Sequence, residues 1–474
     1  MRESLEHDIE LFTAKLTNNP YGYALAQHQH IYGKTKAQKV INWNSRDQQR
    51  LVLFNMMQLP IENETKSGAA STDKDTLKKL YEHCVVKQKP VEARMIQILQ
   101  SLNLSRTIYS NFVKNMPKHM KPQNEDYKKY WWNQYANYPT RYTIHPNFNL
   151  AGTETGRASA SDPPLHGTPK KSLVKRIFES RWKAEGGMII EADLKQQELR
   201  VLAMLSGDEN LRKVISEGRD IHRFIASVAY GVPEEQVDSN LRNLAKSIIF
   251  GLIYGRSAKS IAGQTGATEH EAEKLMNDIF MRFPAIKKLM DNNSMFVENN
   301  GYIPSPFGRQ RIIEKRRYNF DERKRRAMNT PIQSAASDLT MLLGNESWKQ
   351  MQVQGMESVQ IAFVHDAIFF DVKPGELFQL LNLIYTVFNT WADKQFDWVT
   401  IPLGADIEVG RSWYELLYMD IVDGSWVVKV EDKKQEAFGG YIEQLRLAYP
   451  QIELHNYGEE KEGKDHFTLW RLAG

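Results

Sequence analysis

Two short apolar segments, each carrying an aspartate, constrain the fold of this chain most strongly. Residues 188–192 read Met-Ile-Ile-Glu-Ala and are followed at once by Asp193, while residues 363–370 read Phe-Val-His-Asp-Ala-Ile-Phe-Phe with Asp366 inside the run. Short runs of β-branched and aromatic residues predict buried strands. A carboxylate in or just past such a strand is costly unless it is paired with a cation or coordinates a metal. The two aspartates therefore predict a split site in which adjacent strands hold hard ions such as Mg²⁺, with helix capping or turn stabilisation as the alternative for either one alone.

A stripe of cations and aromatic rings on one predicted helix is the second feature. Within residues 241–254, the side chains at every fourth position are Arg242, Lys246, Phe250 and Tyr254. Each step of four residues turns by about 40°, so all four lie on one side, and leucine and isoleucine occupy the opposite side. The cations can hold a triphosphate and the rings can stack on or bound a base pair. The alternative is an exposed helix with incidental aromatic residues.

Positive charge is concentrated in residues 309–326. Nine basic side chains stand there against three acidic ones. Such density fits the neutralisation of nucleic-acid phosphates, and a solvated charge run is the alternative. The nine are Arg309, Arg311, Lys315, Arg316, Arg317, Arg323, Lys324, Arg325 and Arg326.

Composition narrows the class of protein further. The 474 residues carry a formal net charge of +4, which is too small to identify a polyanionic partner. A single cysteine, Cys84, excludes disulfide scaffolds and cysteine-rich zinc modules. No apolar run approaches the roughly 18 residues of a membrane span. We therefore expect a cytoplasmic protein with no membrane segment.

Seven segments, in order, resemble the motifs of family A DNA polymerases, the bacterial DNA polymerase I type. Residues 193–200, 242–255 and 364–366 read DLKQQELR, RNLAKSIIFGLIYG and VHD, and are similar to motifs A, B and C. The resemblance covers about residues 45–420 and is specific because order and spacing agree. The other four segments are residues 155–163 (TGRASASDP), 220–222 (DIH), 307–309 (FGR) and 325–333 (RRAMNTPIQ).

The resemblance implies an α+β fold with a right-hand architecture, in which a palm with an antiparallel sheet carries helical fingers and a helical thumb. It assigns residues 1–110 to the thumb, 111–205 and 325–420 to the palm, and 206–324 to the fingers. We expect the motif B helix to lie in the fingers.

Residues 421–474 have no counterpart in the family and form a C-terminal extension. They contain 7 basic and 10 acidic side chains, so the positive surplus belongs to the preceding residues. Their pattern predicts a strand at 426–430, a helix at 435–449 and a strand at 467–472. We expect the extension to be either a partner-binding module or a stabilising addition.

The implied function is template-directed addition of dNTPs to the 3′ end of primer-template DNA in replication. The resemblance implies that Asp193 and Asp366 hold two Mg²⁺ ions, which Mn²⁺ can replace. It implies that Lys246 is catalytic as the proton donor to the leaving group, and that Arg242 and His222 hold the triphosphate with it.

The resemblance also implies roles for residues around the nucleotide and the DNA. Glu198 is the implied steric gate, a side chain packed where a ribose 2′-hydroxyl would sit. Phe250, Tyr254 and Gln196 are implied to line the nucleotide pocket. The implied DNA contacts are Arg157, Asn329, Gln333, His365, Arg309 and Arg325.

Several positions depart from the family pattern. Ala367 follows the motif C aspartate where the family usually has Glu, and Asp371 lies too far along the strand to be an obvious substitute. Leu194 and Lys195 replace the commoner Tyr-Ser of motif A, and Ile249 replaces a frequent Asn. Both metal aspartates and the triphosphate cations are retained, so we expect an active enzyme with an altered metal site.

We expect the polymerase to lack its own 3′ to 5′ exonuclease, the fold that commonly precedes the polymerase in this family. We therefore expect a phage or phage-like polymerase that acts in the host cytoplasm. Its expected partners are a separate exonuclease or upstream polymerase polypeptide and a processivity factor. The alternatives are a single-subunit phage-type RNA polymerase and a non-catalytic DNA-binding relative.

Overall fold

The chain divides into two units. The N-terminal unit comprises Met1–Pro146 with Asp162–Pro164, and the C-terminal unit comprises Asn147–Ser161 with Leu165–Gly474. We used a computed structural model. It describes residues 2–18, 42–65, 67–122, 142–150, 152–169, 172–258, 261–262, 268–431, 434–462 and 465–473.

The N-terminal unit is built mainly from helices, as the three- and four-residue spacing of its apolar side chains predicts. Leu77, Leu80 and Cys84 lie on one side of one helix and pack against Ile96 and Leu99 of the next, and all five are buried. The elements are α1 (Arg2–Thr17), α2 (Arg46–Arg50, continued by a π-helical turn Leu51–Met56), α3 (Lys74–Val86), α4 (Pro90–Ile108), β1 (Met120–Pro122) and β2 (Tyr142–Ile144).

An eight-stranded antiparallel sheet is the centre of the C-terminal unit, and it confirms the strands predicted around Asp193 and Asp366. Its order is β13-β14-β12-β11-β10-β5-β9-β8, and a short hairpin precedes it in the chain. The hairpin strands are β3 (Asn147–Asn149) and β4 (Ser159–Ser161). The sheet strands are β5 (Met188–Leu194), β8 (Val359–Val364), β9 (Ala367–Val372), β10 (Ala405–Gly410), β11 (Leu416–Val422), β12 (Ser425–Glu431), β13 (Glu453–Glu462) and β14 (Asp465–Ala473).

Helices follow and interrupt these strands. The longest, α11, runs for 34 residues and continues through Pro331. The helices are α5 (Gln197–Ser206), α6 (Glu209–Ser216), α7 (Ile221–Tyr230), α8 (Ser239–Ile253), α9 (Glu269–Arg282), α10 (Pro284–Asn300), α11 (Phe320–Val353), α12 (Leu377–Thr390), α13 (Ala392–Gln395) and α14 (Gln435–Ala448), with a β6–β7 hairpin (Tyr302–Pro304, Gln310–Ile312) between α10 and α11. Among the described helices, none combines the length and the apolarity that crossing a bilayer requires.

The two faces of β5 differ, and this corrects the expectation that Asp193 is desolvated. Ile190, Ala192 and Leu194 belong to the main apolar core, whereas Asp193 is on the opposite face and is exposed. Asp366 is only half-buried. Both carboxylates therefore stand where water and a ligand can reach them, and burial does not force either one to have a partner.

The C-terminal extension continues the same sheet. The predicted strand, helix and strand are confirmed as β12, α14 and β14, and β12 pairs with β11 on one side and β14 on the other. The sequence interpretation missed β13, in which Gly458 marks a register shift and charged residues obscure the alternation.

Candidate active site

The sheet register places the two aspartates side by side. Asp193 on β5 is paired with Ala367 on β9. Asp366 precedes Ala367 in the two-residue turn between β8 and β9, where His365 adopts a left-handed conformation with φ 58°. Two carboxylates from adjacent strands therefore meet at one sheet end, and carboxylate oxygens are ligands that Mg²⁺ prefers.

A chain of polar contacts links this pair to the end of α8. Arg157 Nη2 lies 3.8 Å from Asp366 Oδ1 and donates a 2.5 Å hydrogen bond to Glu198 Oε1. The Tyr254 hydroxyl donates to Glu198 Oε2 at 2.8 Å. Glu198 is 6 % exposed, and burial raises its pKa although Arg157 and Tyr254 favour the charged form. The carboxylate is thus fixed in place by a cation on one side and a hydroxyl on the other.

The stripe predicted on residues 241–254 is present on α8. The Phe250 and Tyr254 rings stack with centroids 6.1 Å apart, and Lys246 Nζ lies 6.0 Å from the Phe250 centroid. On the packed side, Ala245, Ile248, Ile249 and Leu252 are buried. The polar side of the helix therefore presents cations and then rings in one line.

Asp220 holds two of the predicted triphosphate ligands, a role that the sequence interpretation missed. Its Oδ2 accepts a 2.7 Å hydrogen bond from Arg242 Nε, while its Oδ1 caps α7 by accepting from the backbone amides of His222 and Arg223. Burial opposes ionisation of Asp220, but these hydrogen bonds outweigh it and lower the pKa of the carboxyl. The sequence could have predicted that Asp220 caps α7, because aspartate directly before a helix is a preferred N-cap.

His222 is neutral in this pocket near pH 7. Its side chain is 3 % exposed and its ring lies 6.0 Å from the Phe250 ring, between centroids. Burial is the main cause that lowers its pKa to about 4; Asp220 raises the pKa, and Arg242 and Lys246 lower it. A neutral imidazole can donate an N–H to an anionic ligand without adding charge.

We expect His222 to make the protein acid-sensitive. The folded imidazole binds a proton only near pH 4 whereas the unfolded one does so near 6.5, so the unfolded state holds more protons in this window. The free energy of unfolding should therefore fall by up to about 3 kcal/mol as the pH drops through it. Urea unfolding of the wild type and His222→Gln at pH 7 and pH 4.5 measures this, and equal losses in the two proteins would contradict the assignment.

The predicted DNA contacts have different surroundings. Gln333 on α11 is 9 % exposed and hydrogen-bonds the Tyr254 hydroxyl, and Asn329 Oδ1 is buried with no hydrogen-bond partner among the described residues. Arg325 is exposed and lies against Gly255 at the end of α8. Gln196 has a left-handed backbone, φ 45°, at the start of α5.

Arg309 and His365 contact other residues of the chain. Arg309 Nη2 donates to Asp338 at 2.6 Å, and its guanidinium occupies the space next to Gly156, where a Cβ would come within 2.6 Å of it. Gly156 also has φ 79°, so this position requires glycine. The His365 ring stands edge-on to His166 with centroids 5.4 Å apart.

Six of the nine cations in the basic segment 309–326 form ion pairs with three carboxylates elsewhere in the chain, so the fold offsets part of the predicted positive charge. Glu154 is ion-paired with Arg311, Arg317 and Arg326, Glu298 with Lys315 and Arg323, and Asp338 with Arg309. Within the described residues, the basic side chains of this segment without an ion pair are Arg316, Lys324 and Arg325.

The surroundings of Asp193 explain the unusual Lys195. Asp406 on β10 lies directly opposite Asp193 in the register, and Lys195 Nζ is 3.5 Å from its Oδ1. Like charges opposite each other in a sheet repel, so the lysine offsets this repulsion. The described residues contain no group of three or more His, Cys, Asp or Glu side chains arranged to hold a metal. Asp193 and Asp366 therefore need water or substrate oxygens to complete any coordination sphere.

Asp371 has a structural role, in agreement with the expectation that it does not replace the missing motif C carboxylate. It is 4 % exposed and accepts hydrogen bonds from Ser180 Oγ at 2.6 Å and Arg181 Nε at 2.7 Å. We expect Asp371→Asn to lower the free energy of unfolding by about 2 kcal/mol, because it removes the charge of a buried carboxylate that accepts hydrogen bonds from Ser180 and from the 43 % exposed side chain of Arg181. Urea denaturation checks this, with Ser180→Ala expected to cost about 1 kcal/mol; equal stability of Asp371→Asn and the wild type would contradict it.

The comparisons with known proteins all indicate the same family. The model of DNA polymerase family A matches residues 17–415. DNA polymerase I of Chloroflexus aurantiacus is 34 % identical over 283 residues, which are 59 % of this chain and 30 % of that protein. The thermostable DNA polymerase I of Thermus aquaticus is 31 % identical over 378 residues, 78 % of this chain and 42 % of that protein. The chain thus spans less than half the length of these relatives.

A solved structure is similar over most of the fold. It is the polymerase domain of Pol1 from M. smegmatis in complex with a DNA primer-template and dNTP. The TM-score is 0.68 at 26 % identity, and the match covers 87 % of this chain and 66 % of that one. An α+β polymerase fold with an antiparallel sheet is therefore shared.

Proposed function

The chain belongs to DNA polymerase family A, and we propose that it extends the 3′ end of a DNA primer with dNTPs under the direction of a DNA template. The observation that carries the proposal is the contact chain from Asp366 through Arg157 and Glu198 to Tyr254. It connects a carboxylate pair suited to phosphoryl transfer with a helix that presents cations and stacked rings.

Asp193 and Asp366 fit the divalent ions that such a reaction needs. Mg²⁺ in enzymes that act on nucleotides is commonly held by one or two carboxylates together with substrate phosphates, and here two carboxylates stand together with an exposed flank. Two Mg²⁺ ions, or Mn²⁺ in their place, would supply Lewis-acid chemistry that lowers the pKa of the primer hydroxyl and neutralises charge on the triphosphate.

The remaining residues position the substrates. Arg242 and Lys246 place positive charge on the triphosphate, and Lys246 is the proton donor to the pyrophosphate leaving group. His222 adds a neutral N–H donor. The stacked Phe250 and Tyr254 rings bound the base pair that is being formed.

Three residues are proposed to contact the minor groove of the DNA. Arg157, Asn329 and Gln333 carry N–H donors that suit the acceptor atoms common to all base pairs, which permits a check of geometry without a sequence preference. We propose that Arg325 and His365 contact the primer-template backbone, a role that their exposure supports.

The assignment of lobes is proposed by analogy with the family. We assign residues 1–110 to the thumb, 111–205 with 325–420 to the palm and 206–324 to the fingers, while residues 421–474 widen the palm sheet through β12, β14 and β13. The phage origin, the cytoplasmic location, the separate exonuclease polypeptide and the processivity factor stay predictions.

Primer extension by the purified chain tests the proposal. A labelled primer on a DNA template with Mg²⁺ should be extended with dNTPs and far less with rNTPs. Preference for rNTPs or initiation without a primer would instead indicate the RNA polymerase alternative. Tight primer-template binding without extension under either metal would indicate the non-catalytic relative.

We expect Asp220→Asn to weaken dNTP binding with little change in turnover. Asparagine still caps α7 but removes the charge that holds Arg242, so the KM for dNTP should rise about tenfold, the equivalent of about 1.4 kcal/mol, with kcat within about threefold. The matched control is Asp238→Asn, because Asp238 caps α8 through the amides of Asn240 and Leu241 and forms no ion pair with another described residue. Similar KM values for the two variants would contradict this positioning role.

A further inference from the structure

The outer edge of β13 is an accessible strand edge. β13 is the longest described strand, with 10 residues, and it ends the sheet order, paired with β14 alone among the described strands. An edge strand presents unpaired N–H and C=O groups that can template another strand.

An apolar groove runs beside this edge, between β13 and α14. Its volume is about 470 Å³, and its apolar lining includes Phe438 and Ile442 from α14, Leu454 from β13 and Trp470 from β14. Arg446, Glu453 and His455 form the polar part of the lining. All four apolar side chains are half-buried, so they keep apolar surface open to solvent. The Phe438 and Trp470 rings lie 5.4 Å apart, between centroids, and form an aromatic wall.

An open strand edge next to a groove under a helix is the arrangement that binds peptides by strand addition. In that mode main-chain hydrogen bonds to the edge give affinity, and alternate side chains of the peptide enter the groove. We propose that β13 and this groove form a docking surface for an extended, basic segment of a partner protein, which adds to the sheet as a ninth strand with apolar side chains in the groove. The proposal is independent of the polymerase activity.

Charge identifies the class of occupant. Residues 453–462 contain four Glu and one Lys, so a basic segment is favoured on the neighbouring strand. Arg446 also lines the groove, so the side chains that enter the groove itself should be apolar rather than basic. A second copy of β13 would set like charges opposite each other, and nucleic acid would be repelled by the same carboxylates. A basic peptide with apolar residues at alternate positions meets both the edge and the groove.

Protection of the edge is the competing explanation for these charges. Acidic residues and a bulge both discourage edge-to-edge aggregation, and Gly458 marks a register shift here. Protection does not require an aromatic wall that stays open beside the strand. The two explanations therefore differ at the groove, where the experiment is directed.

The probe is a fluorescein-labelled nine-residue peptide in which Lys or Arg alternates with Val or Leu. Its control has the same composition with the apolar residues grouped at one end. We expect the full chain to bind the alternating peptide with an affinity at least about tenfold higher than the control in fluorescence anisotropy, and hydrogen exchange of the β13 amides to slow on binding. Equal binding of both peptides, or unchanged exchange in β13, would overturn the proposal.

Two variants of α14 separate the groove from general surface effects. Ile442→Arg places a charge in the groove and should weaken binding of the alternating peptide at least about tenfold. Leu447→Arg, on the same helix but 53 % exposed and outside the groove lining, should leave it unchanged. An equal effect of both substitutions would overturn the proposal.

A third variant keeps the test decisive if Ile442→Arg fails to fold. Glu459→Lys changes an exposed residue of β13 and should weaken binding of the basic peptide, with a smaller loss at high salt. Unaltered affinity would overturn the proposal. So would dimerisation of the chain in analytical ultracentrifugation that the peptide does not disrupt, since a second copy would then occupy the edge.

Discussion

Asp366→Asn is expected to lower the rate of primer extension at least about a thousandfold while leaving primer-template binding within about threefold of the wild type. Asparagine keeps the shape of the side chain in the turn between β8 and β9 and removes its charge. Lewis-acid stabilisation of phosphoryl transfer is worth several kcal/mol, and about 4 kcal/mol corresponds to a thousandfold in rate. Asp193 alone cannot supply the paired carboxylates that this chemistry needs.

Single-turnover extension at saturating dNTP gives the rate, and anisotropy of a labelled primer-template gives the binding. The control is Asp393→Asn on α13, an exposed aspartate outside the sheet, which should leave both unchanged. Normal extension by Asp366→Asn would remove Asp366 from the metal site. Loss of DNA binding in parallel with extension would show instead that the substitution disturbs the fold.

The adjacency of Asp193 and Asp366 could be predicted because it depends on local signals. Short runs rich in β-branched and aromatic residues form strands with little dependence on distant sequence. The exposure of Asp193 could have been predicted too, since the alternation of Ile190, Glu191 and Ala192 along β5 already places residue 193 on the polar face.

The ion pairs of the basic segment 309–326 could not be predicted from local sequence patterns. Glu154, which forms ion pairs with Arg311 and Arg326, lies more than 150 residues before them in the sequence and is brought close only by the fold. The neutral state of His222 has the same origin, because burial by several elements lowers its pKa. Local patterns specify the charges present, whereas tertiary packing decides which of them remain available to a ligand.

Selection against ribonucleotides should depend on how rigidly Glu198 is held. Its carboxylate accepts hydrogen bonds from Arg157 on one oxygen and Tyr254 on the other, so it has a single position in the pocket. A side chain fixed by two partners excludes an additional hydroxyl more strongly than a mobile one. If Glu198 is the steric gate that the family resemblance implies, we expect selectivity to depend on all three residues, although only Glu198 would meet the 2′-hydroxyl.

Glu198→Ala is accordingly expected to lower the ratio of kcat/KM for dNTP over rNTP at least about 100-fold, equivalent to about 2.7 kcal/mol of discrimination. Tyr254→Phe keeps the carboxylate and the ring but removes one hydrogen bond, so its ratio should fall only about tenfold. Both ratios are measured in one primer-extension assay with matched nucleotides. A larger fall of this ratio in Glu198→Ala than in Tyr254→Phe would separate the effect of the volume of Glu198 from the effect of the hydrogen bond that holds it. An unchanged ratio in Glu198→Ala would exclude this side chain as the steric gate.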